Sequence, residues 1–296
     1  MSRLKLVEDS QFPNWMRRTL PSGGQSFQTN TILRKYRLNT VCEEAKCPNR
    51  MECYHKQTAT FLVLGKTCTR NCGFCDIDFD KTPKAPEEDE PQRVALSVRE
   101  LGLKHVVITM VARDDLPEGG AAQIAAIIRS VRKENSGVTI EVLTSDFSGN
   151  FDAINLVLAE RPEIFNHNIE TVRSLSPRIR HKAEYDRSLA VLRHAKQSQA
   201  SRYVKSGIML GFDETEEEVF QALRDLHDAG CSIVTIGQYL QPSQNKLRVK
   251  KFVHPDQFKI FEEFGLSLGI KQMYCGPYVR SSYNASHVFD SINSLT

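Results

Sequence analysis

The sequence predicts an α/β fold built on a parallel sheet, and three observations predict it. Six short apolar or β-branched runs, at residues 60–64, 105–111, 138–144, 164–169, 204–210 and 233–239, read as strands. Between them apolar side chains recur at helical spacing: Ile124, Ile127, Ile128 and Val131 fall at i, i+3, i+4 and i+7, and Val219, Leu223 and Leu226 line a second face. Strand and helix alternate at intervals of about 25 to 45 residues, as parallel strands joined by helical crossovers require. Such a pattern can be doubly wound or curled into a barrel, and six strands rather than eight point to a partial (βα)6 barrel.

Along the chain, the stretch to about residue 30 is rich in Pro, Ser and Gly, and the first sixty residues read as an appendage to the repeat. Residues 81–91 (KTPKAPEEDEP) form a charged, proline-bearing connector expected to lack regular structure. Thr215 with Glu218 fits a capping box ahead of one helix, and Gly230 fits its stop.

A chain of 296 residues with 40% hydrophobic and 25% charged side chains has the balance of a globular protein, which excludes collagen, disordered-tail and coiled-coil classes. The formal charge of +3 is small and dispersed, so it announces no nucleic-acid partner. The longest apolar runs, 106–112 and 61–64, fall far short of the roughly 20 residues that cross a bilayer. The amino terminus shows no continuous apolar segment, and Glu8 and Asp9 depart from an acid-poor transit sequence, so a cytoplasmic protein is expected. In that setting eight cysteines point to metal ligation or catalysis before disulfides.

Six of those cysteines lie between residues 42 and 75. Cys68, Cys72 and Cys75 form CxxxCxxC just after the 60–64 strand, at the carboxyl end where a parallel barrel collects its functional loops. Three thiolates on a short loop can hold three irons of a [4Fe-4S] cubane and leave the fourth open to another ligand. Cys42, Cys47 and Cys53 form a second set that is also one thiolate short, so two clusters are expected. Structural zinc is the alternative, although its sites usually present paired CxxC elements. Cys231 and Cys275 are isolated and read as small buried hydrophobes.

CxxxCxxC with Phe74 before its last cysteine resembles the signature of the radical S-adenosylmethionine (SAM) enzymes. VCEEAKCPNRMEC at 41–53, GKTCTRNCGFC at 65–75, RDDLPEGGA at 113–121, FNHNIETV at 165–172, TIGQYLQPS at 235–243 and VRSSY at 279–283 together resemble the lipoyl synthase family, in order from about residue 13 to 285. The resemblance implies a partial parallel (βα)6 barrel of radical SAM type at 56–245. It also implies extensions over the barrel opening, at 1–55 with the second cysteine set and at 246–296 with RSSY. It implies two [4Fe-4S] clusters: one on Cys68, Cys72 and Cys75 that binds SAM, and an auxiliary one on Cys42, Cys47, Cys53 and Ser282. The implied reaction is insertion of sulfur at C6 and C8 of an octanoyl chain on a carrier lysine. Reductive SAM cleavage yields the abstracting radical, and the auxiliary cluster is consumed as sulfur donor. The implied partners are octanoylated carrier domains (2-oxoacid dehydrogenase E2 subunits and the glycine cleavage H protein), a ferredoxin or flavodoxin, and an iron-sulfur carrier for cluster repair. The sequence departs from the family pattern where Met110, Val111 and Ala112 replace a more polar run, where Glu118 stands for Asp, and where Asn284 follows RSSY in place of His.

Other residues are weighed against plainer roles. Asn168 and Glu170 share one face of a strand end, where they suit ribose or amino-group hydrogen bonds or merely cap an exposed end. Gly207, Met209, Gly211 and Glu214 resemble the superfamily's GxIxGxxE element, whose glycines let adenine approach. Arg113, Asp114 and Asp115 read as loop-ordering or SAM-proximal, and His167 as a satisfied structural histidine. Lys246, Arg248, Lys250 and Lys251 are a solvated surface or a dock for an acidic carrier. The competing functions are another radical SAM sulfurtransferase, of biotin synthase or RNA-methylthiolating kind, and a non-enzymatic zinc or iron-sulfur scaffold.

Overall fold

In the computed structural model, which describes residues 12–18 and 24–294, the six expected runs all become strands of one sheet. Glu8 and Asp9, which carry part of the expectation about the amino terminus, lie outside the described residues. The strands are β1 (Asn39–Thr40), β2 (Thr60–Val63), β3 (Thr67–Cys68), β4 (Asp78–Phe79), β5 (His105–Met110), β6 (Thr139–Leu143), β7 (Ile164–Asn166), β8 (Tyr203–Leu210), β9 (Ile233–Gln238) and β10 (Gln272–Gly276). The main sheet runs β1-β2-β5-β6-β7-β8-β9-β10, parallel from β2 onward, with β1 antiparallel at one edge. β3 and β4 form a separate parallel pair.

Every residue of β9 and all but one of β5 and β8 are buried, so these strands read as continuous apolar runs, as a sheet covered on both faces must. The helices are α1 (Gln25–Lys35), α2 (Val41–Glu44), α3 (Arg50–His55), α4 (Glu90–Glu100), α5 (Ala121–Glu134), α6 (Phe151–Ala159), α7 (Ser176–Ile179), α8 (Tyr185–Ser198), α9 (Glu216–Asp228), α10 (Pro255–Ser267) and α11 (Ala285–Ser294). On α5, Ile124, Ile127, Ile128 and Val131 are the buried face. At the start of α9 the Thr215–Glu218 capping box forms in both directions, and Gly230 beyond its end takes a left-handed φ of 83°.

Three features differ from the expectation. α4 takes Glu90 and Pro91 from the connector, with proline in the first turn where its missing N–H costs nothing. β10 adds a seventh parallel strand beside β9; Met273 is its only fully buried residue, so it carries no apolar run to announce it. The run at 164–169 ends as a strand at Asn166, and Glu170 adopts a left-handed φ of 65°.

The terminal segments are stitched to the sheet. β1 extends the edge at β2, and Thr29 Oγ1 of α1 donates to Tyr54 O of α3 at 2.8 Å. After β10 the chain crosses so close to Gly237 that a Cβ there would collide with the Val279 carbonyl. α11 then packs Val288 and Ile292 against Ile164, Tyr203 and Ile233, the first residues of β7, β8 and β9. The last helix thus plugs the amino-terminal end of the sheet, opposite the cysteine loop. No helix among the described residues is long and apolar enough to cross a membrane.

Candidate active site

Cys68 ends β3, and the loop to Cys75 is fastened to the carboxyl end of β5. Thr69 N–H donates to Ala112 O at 3.0 Å. Arg70 forms a two-point pair with Asp114 at 2.7 and 2.9 Å and reaches Asp146 at 2.7 Å. Arg113 pairs with Asp115 and donates to Leu64 O at 3.0 Å, so the RDDL residues order the cysteine loop. Backbone N–H groups approach two sulfurs: Arg70 N to Cys68 Sγ at 3.3 Å and His181 N to Cys72 Sγ at 3.4 Å. Gly73 is pressed on Leu247, whose Cδ1 would lie 2.7 Å from an added Cβ.

The second set stands on two short helices. Thr40 caps α2 through Glu43 N–H at 3.2 Å and places Cys42 in the core. Lys46 turns the chain with a φ of 48°, Cys47 N–H returns to Cys42 O at 3.1 Å, and α3 carries Cys53. Ser282 arrives from the other end of the chain. Its Oγ accepts a 2.8 Å hydrogen bond from Thr60 Oγ1, and Thr60 and Cys42 both line the same cavity. A clamp holds this junction: Tyr283 OH donates to Glu52 Oε1 at 2.8 Å, Glu52 pairs with Arg18 and Lys56, and Asn49 Nδ2 donates to Tyr278 O at 2.7 Å.

Both sets, with Ser282, face one cavity of about 1060 Å³, just above the usual range for small-molecule and cofactor sites. Phe74, Asn168, Glu170, Gly207 and Met209 line it as well. Gly211 does not. Its glycine is required by packing instead, since a Cβ there would lie 2.8 Å from Lys251 O and collide with the Gln238 amide. Asn168 Nδ2 donates to Glu170 Oε1 at 3.1 Å, which puts the two side chains on one face. Ser281 Oγ donates to Asn168 Oδ1 at 3.0 Å and accepts from Asn166 Nδ2 at 2.8 Å. Asn166 continues to Glu141 at 2.8 Å, and Glu141 is paired with Lys205 at 2.8 Å in the sheet interior. A Cβ on Gly207 would intrude 2.9 Å from Asn168 Oδ1, so the wall needs glycine there.

Without a bound cation, burial of these cysteines favours the neutral thiol. Burial pushes the thiols of Cys42, Cys53 and Cys75 up to about 12, with neighbouring cysteines adding to the rise. Burial likewise raises Cys68 and Cys72. Such thiols lose their protons when a metal centre replaces the positive charge. Burial also lowers the Arg280 guanidinium, although Cys47 and Glu170 both lie near enough to favour its charge. Burial raises the Glu170 carboxyl more than Arg180 and Asn168 lower it. No cysteine is in a disulfide, and among the described residues no three His, Cys, Asp or Glu side chains gather round a single metal ion. The fit to clusters therefore rests on two soft donor triplets, each one ligand short, facing the same space.

His167 is satisfied structurally, with Nδ1 at 2.9 Å from Thr144 O and Nε2 at 2.9 Å from Ser188 Oγ. Cys231 lies in the core and Cys275 packs against it. Sequence reasoning missed Thr60, Ser281, Glu52 and Arg280. The last three lie inside the quoted motifs VRSSY and VCEEAKCPNRMEC without being singled out there, and nothing marked Thr60 as a site residue.

Residues 62–226 match the Radical SAM superfamily. Solved structures of similar fold include Streptococcus suis SuiB bound to S-adenosylmethionine, with TM-score 0.57 and 9% identity over 72% of this chain and 49% of that one. Another is methylornithine synthase (PylB), with TM-score 0.53 and 15% identity over 79% and 80%. Fold and cysteine loop thus define a radical SAM protein, a class that uses a [4Fe-4S] cluster with SAM. The lipoyl synthase of Protochlamydia amoebophila (strain UWE25) is 61% identical over 285 residues, covering 96% of this chain and 88% of that protein. The lipoyl synthase of Chlamydia muridarum (strain MoPn / Nigg) is 50% identical over 284 residues, 96% and 92%. The chain belongs to the lipoyl synthase family of radical SAM sulfurtransferases.

Proposed function

We propose that this chain forms the lipoyl group by inserting sulfur at C6 and C8 of an octanoyl chain attached to a carrier lysine. The observation that carries this reading is the single cavity lined by both cysteine triplets and Ser282. When bound, a [4Fe-4S] cluster with SAM supplies hydrogen-atom abstraction from an unactivated methylene, and a second [4Fe-4S] cluster supplies the sulfur.

The chain's own residues hold, aim and exclude. Cys68, Cys72 and Cys75 would hold the first cluster on the loop pinned by Arg70 and Asp114. Cys42, Cys47, Cys53 and Ser282 would hold the second. Phe74, Asn168, Glu170, Gly207 and Met209 would receive SAM in the same cavity: the Asn168–Glu170 pair offers polar contacts, and Gly207 leaves room beside them. Arg280 lines the same cavity and would offset the charge of a bound cluster there. α11 closes the far end and keeps bulk water from a radical path.

The family's substrates are lipoyl carrier proteins, and those proposed for this chain are octanoylated E2 and H-protein domains. The electron donor is proposed as a ferredoxin or flavodoxin, and repair of the second cluster as the work of an iron-sulfur carrier. Exposed Arg248, Lys250 and Lys251 are the proposed dock for an acidic carrier face. Anaerobic incubation of the reconstituted protein with SAM, reductant and an octanoyl-lysyl peptide, followed by mass spectrometry, tests the reading. Two sulfurs gained per octanoyl group are expected; SAM cleavage with an unaltered peptide overturns it.

A further inference from the structure

Asp76 follows Cys75 directly, and its carboxylate reaches two other parts of the site. Oδ2 lies 2.6 Å from Nζ of Lys46, the residue before Cys47. Oδ1 accepts a 2.5 Å hydrogen bond from Ser243 Oγ, in the irregular stretch 239–254 that follows β9. That stretch meets the cysteine loop at a second point, where Leu247 N–H donates to Gly73 O at 2.9 Å. Lys46 itself sits in the left-handed region at φ 48°, a conformation that a residue with a Cβ holds only where its surroundings fix it.

We propose that Asp76 is a positioning residue that sets the separation of the two cysteine triplets, by holding the 42–53 segment and the 239–254 strap against the 68–75 loop. The proposal rests on the reading that the triplets carry different halves of one reaction. Fold stability is not what the pair supplies. The Lys46 side chain is 59% exposed, and an ion pair that open to solvent adds little to it. Its effect lies in geometry: a displacement of about 1 Å between reacting groups can lower a rate by about a hundredfold. Asp76 couples the immediate neighbours of one ligand from each set, Cys47 and Cys75, through a single side chain.

The test uses anaerobically reconstituted Lys46→Met and Asp76→Asn proteins, the latter keeping an oxygen for Ser243. Each is given SAM, reductant and octanoyl-lysyl peptide, and 5′-deoxyadenosine and thiolated peptide are counted in the same sample. The expected result is wild-type iron per chain, continued SAM cleavage, and about tenfold more 5′-deoxyadenosine formed per sulfur inserted. Hydrogen exchange on the same holoproteins without substrate should quicken in 43–49, whose tie to Asp76 both variants break, and hold steady in 241–248, whose Ser243 contact both keep. The exchanged pair Lys46→Asp with Asp76→Lys, which restores the ion pair but not the acceptor for Ser243, should recover the exchange of 43–49 and part of the coupling. Unchanged coupling and exchange in the two single variants overturn the proposal, as does a parallel loss of cleavage, iron and product, which would mean Asp76 only supports cluster assembly. If the wild-type chain itself inserts no sulfur, the functional reading fails, and the exchange measurement alone decides the role of Asp76.

Discussion

Ser282 brings an oxygen to a site otherwise built from sulfur, and Thr60 holds it there with a 2.8 Å hydrogen bond. Oxygen is the harder donor and the poorer partner for iron-sulfur chemistry, so in the proposed second cluster the Ser282 position would be the one from which a metal leaves most easily. Ser282→Cys is expected to load iron like wild type yet yield little thiolated peptide, and Ser282→Ala to load on three cysteines and lose most of its product. Both should still cleave SAM; the ratio of product to 5′-deoxyadenosine checks this. Deeper in the sheet, burial raises the Glu141 carboxyl, but Lys205 and His105 more than offset it and hold it down to about 2 from 4.5. Because the folded value is depressed, the stability this group contributes is present above about pH 4.5 and lost as pH falls toward 2. Lys205→Met leaves the buried carboxylate with only His105 and Asn166 and should cost about 3–5 kcal/mol in urea unfolding. It should also flatten this group's pH dependence, since the largest influence holding the carboxyl down is gone.

At the scale of elements, two irregular segments do the joining. The 277–284 crossing ties the RSSY residues to α3 through Glu52 and to the sheet interior through Ser281, Asn166 and Glu141. The 239–254 strap ties the end of β9 to the cysteine loop and carries the basic residues on its outer side. Charge reversal at Lys250 and Lys251 is expected to weaken use of an intact carrier domain by about tenfold at low salt and to leave a short octanoyl peptide little affected. The gap should close as salt rises, because the attraction is screened over roughly a Debye length. Kinetics on both substrates across a salt series check this, and equal losses would place the defect in folding or in the cavity.

For the whole molecule, legibility followed the reach of each signal. α5 and the strands from β2 to β9 in the main sheet were legible because burial on one face or both writes itself into a local period. The two cysteine sets were legible because their chemistry is rare and closely spaced. β10 was not, since it buries only Met273 fully, and neither was the plug made by α11, whose partners are strand starts scattered from Ile164 to Ile233. Contacts such as Tyr283 with Glu52 and Thr60 with Ser282 join residues more than two hundred positions apart, and no local pattern encodes them. The central claim is that two triplets in one cavity divide the work, Cys68, Cys72 and Cys75 serving radical generation and Cys42, Cys47 and Cys53 sulfur donation. It is tested most directly by reconstituting the protein with heavy-isotope sulfide, removing the excess, and allowing turnover on octanoyl-lysyl peptide with light sulfide in solution. The account predicts heavy sulfur at both positions and no more than one lipoyl product per chain. The same experiment on Cys47→Ala should give 5′-deoxyadenosine without thiolated peptide. Light sulfur in the wild-type product, or thiolated peptide from Cys47→Ala at the wild-type level, would contradict it.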